Sequence, residues 1–487
     1  MKNQDTRYTR RDVLAGSATL AGLAAFPAPL IAATNGPKHD FAPLADSLQG
    51  GLVTPEHPAY DSARHVWNGM IDRHPAAIAQ CTGVADVVAA VDFARENDVP
   101  ITVRGGGHNV AGKAVRDGAL MIDLGQMHGI WVDAAARRAR AQGGTRWGAF
   151  DRETLARNLY TTGGTVSTTG VAGLTLGGGL GWLMRKHGLT CDNLAGAEVV
   201  TAGGDVLRAD ADQNSDLFWA LRGGGGNFGI VTSFDFELHE QQPVTGGMAI
   251  FAGDRTRDVL QFFREYTAEL PDSVTTMAGC FLAPGEGSNP PQPMAWIAVC
   301  HTGPEDDGRR LVAPIKDFGP VQDFIGPMPY SALQTMFDDG AAPGARNYWR
   351  SAFMQDFSDD VIDTMVASAA ELPPPGSMML VEHLGGAISR VDEGETAYSH
   401  RGAQFNVSIL SSWTDAAADD RYSAWTRNFG DELRSFSDGG AYVNYMAGDM
   451  SGAEVKAMYD ANFERLRSIK RKYDPDNFFN SNQNIAP

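Results

Sequence analysis

Apolar residues at Val84, Val87, Val88, Val91 and Ala94 recur at three-and-four spacing, which places them on one face of a helix. The spacing predicts a helix over 84–97 with Thr82 as its N-cap. A short apolar run at 99–103 follows and reads as a strand, 120–124 reads as a second, and 139–142 begins a third. Beyond residue 240 strand-like runs at 295–300, 378–381 and 405–410 alternate with helical runs at 259–270 and 361–371. Near the end, 441–445 reads as a short strand whose alternation sends Tyr442 and Tyr445 to opposite faces. A helix follows at 453–472, with Ser451 and Glu454 spaced as a capping box.

Three glycine tracts interrupt this pattern. The first is Arg104, Gly105, Gly106, Gly107, His108, Asn109, directly after the 99–103 strand. Consecutive glycines let backbone amides approach an anion closely, so the stretch reads as a loop round a pyrophosphate with an imidazole beside it. A dinucleotide fingerprint of Rossmann type would open a helix here, whereas 112–118 reads as another loop. The second tract spans 163–181 and is too rich in glycine to predict an ordinary helix or strand. The third, 222–229, precedes another strand-like run. An extended cofactor crossing several loops explains three tracts better than three separate turns do.

Charge and composition narrow the partners. The 487 residues carry a formal net charge of −19, which disfavours nucleic acid and anionic membrane surfaces. Thr9, Arg10, Arg11 and Asp12 precede a weakly apolar, alanine-rich run to Ala33, the pattern of a twin-arginine export signal over 1–33. Export to the periplasm or beyond, as a folded protein carrying its cofactor, is the expectation. No other run reaches the length of a membrane span, so no membrane insertion is expected. Cys81, Cys191, Cys280 and Cys300 have no close metal-ligand spacing, and no metal site is expected. Cys280 with Cys300 is the favoured disulfide, and buried free thiols fit the sequence at least as well.

Jointly the 104–109 loop, the 163–181 tract, residues 222–231 and the closing stretch 473–485 make the chain resemble the berberine-bridge-enzyme-like flavin oxidases, within the vanillyl-alcohol-oxidase group. The resemblance implies an α+β fold: a two-lobed FAD-binding domain from 34–240 and 431–487, and a substrate domain at 241–430 with an antiparallel sheet backed by helices. It implies FAD held by Arg104, Gly105, Gly106, Gly107, His108, Asn109, Gly164, Thr165, Thr168, Thr169, Gly170, Gly173, Gly178, Gly226, Asn227, Ile230, Val231, Asn444, Asn482 and Gln483. His108 is the implied point of covalent attachment. Val166 stands where many relatives carry a second attachment cysteine, so attachment through His108 alone is expected. Thr169 stands at the position treated as the oxygen gate, and its valine-like size leaves room for O2.

The implied activity is oxidation of a small-molecule alcohol, sugar-like or a natural product, with O2 as electron acceptor. A dehydrogenase using another acceptor and a secreted flavin-binding protein without turnover are the alternatives. The chemistry needs a base, for which Tyr445 is the first choice and Tyr442 the second, each requiring a stabilised phenolate. Ser408 replaces the glutamine or glutamate of plant relatives. His400 and Arg401 read as structural polar residues, and Glu382 and His383 as a satisfied surface pair, with one of the two facing the pocket as the alternative.

Overall fold

The computed structural model describes residues 39–283, 291–374, 376–437 and 439–487; the export segment expected at 1–33 lies outside them. The first lobe holds a two-stranded sheet, Leu159–Tyr160 with His239–Glu240, and two larger ones. In one, strands Ile101–Arg104 and Leu120–Asp123 are parallel neighbours, Ala77–Gln80 lies parallel on the far side, and Gly51–Val53 closes the edge antiparallel. The helix expected at 84–97 packs on this sheet as Val84–Glu96, burying Val87, Ala90, Val91 and Ala94. Its N-cap is Gly83, not Thr82. Thr82 instead turns its amide and hydroxyl to Asp86 Oδ2, at 2.8 and 2.9 Å. That carboxylate also takes the amides of Gln49 and Gly50, and a charged acceptor with several donors outcompetes a single capping bond.

The second sheet is antiparallel, in the order Ile130–Asp133, Arg138–Gln142, Ile230–Glu237, Leu194–Val200, Val206–Asp210. Between the sheets lies the 163–181 tract, which contains a helix, Val171–Leu176, contrary to expectation. The glycines explain it: Gly170 and Gly177 fall at the two caps, leaving only Gly173 inside.

The second lobe is the expected antiparallel sheet backed by helices. Its strand order is Gln322–Asp323, Val244–Ala252, Gln292–Thr302, Val274–Ala283, Met378–His383, Phe405–Trp413, Arg346–Met354. Strand alternation divides its side chains cleanly. Ala278, Cys280, Ile297, Val299, Met379, Val381, Val407 and Ile409 pack against helices Thr256–Thr267, Glu305–Asp317, Asp359–Ser368 and Asp419–Arg434. The opposite face looks toward the first lobe.

The cysteine pairing is corrected by register. On adjacent strands Cys280 stands opposite Ala295 and Cys300 opposite Thr275, five positions apart along the ladder, and all four thiols are buried and free. The chain then returns to the first lobe. Residues 441–445 form no strand; Val443–Tyr445 is a 3-10 turn. The expected long helix is two, Gly452–Tyr459 and Phe463–Tyr473, broken where Asp460 adopts φ 42°. The Ser451–Glu454 capping box forms as read.

Candidate active site

The first glycine loop sits where two parallel strands end together. Gly106 and Gly170 approach so closely that a Cβ on either would lie 2.5 Å from the other's backbone nitrogen, so both must be glycine for steric reasons alone. Gly107 adds a positive φ of 66°. Arg104 takes a different part from the one expected. Its guanidinium forms a forked pair with Asp123, its register partner, at 2.9 and 2.6 Å, and also bonds the Ala63 carbonyl. It fastens the two strand ends together and does not face the cavity.

That cavity, of about 590 Å3, runs between the lobes. Gly105 to Asn109 line it, as do Gly164, Thr165, Val166, Thr169, Gly170 and Gly173 from the second tract. Gly226, Asn227, Ile230 and Val231 line it from the third, and Asn444, Asn482 and Gln483 from the closing segment. The structure thus gathers most of the residues expected at the cofactor, with Arg104, Thr168 and Gly178 outside the lining. Gly178 instead makes a turn at φ 113° against the Tyr398 ring.

The closing segment is laced onto the third tract. Asn482 donates to the Gly226 carbonyl at 2.9 Å, Asn227 donates to the Gln483 carbonyl at 3.2 Å and accepts the Ile485 amide at 3.0 Å. The buried Lys470 donates to the carbonyls of Asn227 (2.7 Å) and Phe479 (3.0 Å) while paired with Asp474. Ser481 Oγ, Asn482 Oδ1 and Gln483 Nε2, on side chains that line the cavity, find no protein partner among the described residues. Gly173 and Gly226 have open space where a Cβ would project. Three converging backbone loops, open glycine faces and buried polar atoms without protein partners suit an elongated dinucleotide such as FAD.

His108 lies over this cavity under a pedestal that sequence reading missed. The Trp67 indole stacks on its ring, centroids 4.5 Å apart and planes 17° from parallel. Its Nε2 lies 3.2 Å from Thr168 Oγ1. Burial, against the raising effect of a hydrogen bond to its own backbone, lowers its pKa to about 4, so the imidazole is neutral and nucleophilic at physiological pH. Val166 presents no thiol to the cavity.

Tyr442 and Tyr445 share the cavity wall. The 3-10 turn brings their rings to 4.8 Å in an edge-on contact, correcting the expectation of opposite faces. Their surroundings separate their tasks. The Tyr442 oxygen accepts the amides of Gly179 (3.1 Å) and Leu180 (3.2 Å) and the Asn444 side-chain amide (2.8 Å), which fixes it as a support for the tract beneath. Tyr445 donates to Glu382 Oε1 at 3.3 Å. Glu382 is buried, with its other oxygen accepting from Asn406 at 2.7 Å, so the expected surface pair is incorrect. Burial raises the Glu382 pKa to about 7. Burial, followed by the Glu382 charge, pushes the Tyr445 phenol far above its ordinary value, so no phenolate is stabilised here. The pair is a phenol donating to a carboxyl poised near neutrality.

The neighbouring polar residues are structural. His383 faces the helix side, where Arg185 lies 3.0 Å from its Nε2 and burial lowers its pKa to about 3. Arg401 is buried in a forked pair with Asp192 at 2.8 and 2.7 Å. His400 reaches the Ala457 carbonyl at 3.0 Å, and Ser408 is buried beside Asn406. No described helix is long and apolar enough to cross a membrane.

Comparison with known proteins agrees with this geometry. Residues 75–210 match the FAD binding domain family, and 441–486 the berberine and berberine-like family. An FAD-linked oxidoreductase of Dictyostelium discoideum is 31% identical over 427 residues, covering 86% of this chain and 91% of the relative. The crystal structure of 6-hydroxy-D-nicotine oxidase from Arthrobacter nicotinovorans superposes with a TM-score of 0.83 at 29% identity, over 92% of this chain and 99% of that one. A chitooligosaccharide oxidase structure gives 0.79 at 25% identity, over 91% and 98%. The cradle, the closing segment and these likenesses agree: the chain belongs to the berberine-bridge-enzyme-like FAD-linked oxidoreductases, built on the vanillyl-alcohol-oxidase type of fold.

Proposed function

We propose that this oxidoreductase is an oxidase of alcohol-type substrates that hands the electrons on to O2, with its flavin attached through His108 alone. The carrying observation is Tyr445 on the cavity wall, donating to the buried Glu382 behind it. FAD held in the cradle would supply the two-electron chemistry, hydride acceptance from the substrate and reoxidation by O2, which with two protons gives hydrogen peroxide. The chain supplies the rest. As the substrate C–H leaves with its electron pair, the hydroxyl proton passes to the Tyr445 oxygen, whose own proton moves to Glu382, and the substrate becomes a carbonyl compound. A carboxyl titrating near 7 accepts that proton without forming an isolated phenolate. Thr169 on the cavity wall is small enough to leave a path for O2.

Anaerobic addition of an alcohol substrate bleaches the flavin absorbance, and air restores it with one peroxide per turn. Bleaching that air does not reverse marks a dehydrogenase; a bound flavin that no alcohol bleaches refutes the reading. We infer too that the chain is exported folded, on the strength of Arg10, Arg11 and the run after them. Amino-terminal sequencing of the extracytoplasmic protein, beginning near Thr34, tests it.

A further inference from the structure

The face of the second-lobe sheet that looks into the cavity carries a chemical signature of its own. Strand alternation presents Met248, Met277, Phe281, Trp296, Met378 and Leu380 from four adjacent strands, all lining the cavity. Phe337, from the segment after helix Tyr330–Gln334, joins them with its ring 6.1 Å from Trp296 and edge-on to it. None of these side chains offers a strong hydrogen-bonding group except the Trp296 indole N–H.

Beside Met277 the same face carries Glu382 and Asn406, which bond each other, with Glu382 also accepting from Tyr445, and which do not line the cavity; the polar positions that do line it, Ser377, Ser412 and Asn347, are largely occupied. Ser377 Oγ accepts the Ser412 amide at 2.8 Å and donates to its carbonyl at 3.1 Å, and Asn347 donates to the Ala345 carbonyl at 2.8 Å. Among the described residues that line the cavity, Lys113 of the first lobe is the only Lys, Arg, Asp or Glu. Beside Tyr445 a buried donor is left over. Trp349 Nε1 is buried without a partner among the described residues, and its ring meets Tyr445 edge-on at 5.7 Å.

A sugar or oligosaccharide brings a hydroxyl on nearly every carbon, and each needs a partner when it leaves water, at roughly 1–3 kcal/mol where none is found. This wall cannot supply them. Methionines and aromatic rings instead favour a flat apolar body, with the thioethers adapting to its outline. We infer that the substrate is an apolar, ring-bearing alcohol, lying on the Met277–Trp296–Met378 wall with its hydroxyl beside Tyr445 and one acceptor within reach of Trp349 Nε1. The position of the hydroxyl rests on the oxidase reading; the apolar class rests on the wall alone.

Binding, read from biphenyl, which cannot reduce the flavin, and from the rapid spectral shift that precedes any bleaching by the alcohol, separates the two. The flavin-loaded protein is titrated under nitrogen with 4-phenylbenzyl alcohol, with biphenyl as its hydroxyl-free analogue, and with cellobiose, following perturbation of the flavin spectrum. At least tenfold tighter binding of both biphenyl compounds than of cellobiose is expected. Met277→Gln, checked for an unchanged melting temperature and flavin spectrum, weakens the biphenyl compounds at least fivefold and leaves cellobiose unaltered. Leu380→Gln serves as the second variant if Met277→Gln does not fold. Tighter binding of cellobiose, or no detectable binding of either biphenyl compound, overturns the inference. Tight binding of 4-phenylbenzyl alcohol with no bleaching upholds the apolar wall and counts against the oxidase reading.

Discussion

The Trp67 indole and the His108 imidazole lie face to face at 4.5 Å, and the same indole donates its N–H to the Ala341 carbonyl of the second lobe at 2.7 Å. The ring expected to carry the flavin is thus buried by a residue that both lobes hold. Burial keeps it unprotonated.

The proposed attachment through this ring has a pH signature. With a pKa near 4, the rate at which added FAD becomes acid-precipitable changes little between pH 8 and pH 6. An ordinary histidine near 6.5 would lose about fourfold over that range. In His108→Ala, the yellow colour moves from the acid pellet to the supernatant.

In the proposed proton path Tyr445 and Glu382 act in series, so removing either is expected to slow flavin reduction. Tyr445→Phe and Glu382→Gln each lower the anaerobic reduction rate by on the order of 10²–10⁴. In wild type this rate rises with an apparent pKa near 7 as Glu382 ionises, and in Glu382→Gln that limb is absent. Stopped-flow reduction from pH 5.5 to 9 reads both effects.

Glu382 also links stability to pH. Its folded pKa lies above the unfolded value of 4.5, so the folded chain retains a proton that the unfolded chain has released between pH 4.5 and about 7. The contribution is full below pH 4.5 and is lost as pH rises through 7, amounting to on the order of 3 kcal/mol. The melting temperature of Glu382→Gln therefore gains on wild type between pH 5 and pH 8.

Gly106→Ala tests the backbone contact under the cradle. Its Cβ meets Gly170 backbone atoms that cannot rotate away, so stability falls by ~1–3 kcal/mol and the purified protein holds less flavin. The ratio of flavin to protein absorbance measures the loss.

Thiol titration of the unfolded protein reads four cysteines without added reductant, because Cys280 and Cys300 are out of register for a bridge.

The sequence conveyed what neighbouring residues dictate. The 84–97 spacing, the strand runs and the glycine tracts are local patterns, and the structure gathers the tracts round one cavity. What escaped depends on partners far along the chain. Arg104 looks like an anion ligand until Asp123, nineteen residues on, takes its guanidinium. Glu382 looks like a surface residue until Tyr445 and Asn406 close over it. The 441–445 stretch has a strand's composition, yet a 3-10 turn forms in which Tyr442 receives amides from Gly179 and Leu180. Trp67 carried no motif; only its proximity to a glycine-loop histidine in the fold marks it.

The bond from Trp67 to Ala341, together with the amide of Asn68 held by the Asn347 carbonyl at 2.8 Å, sets an order on assembly. The nucleophile's shelter spans some 270 residues, and the final residues of the chain close the far end of the same cavity. A partly synthesised chain therefore has no complete place to receive its flavin, and under the proposed attachment a permanently coloured molecule is one that has already finished folding.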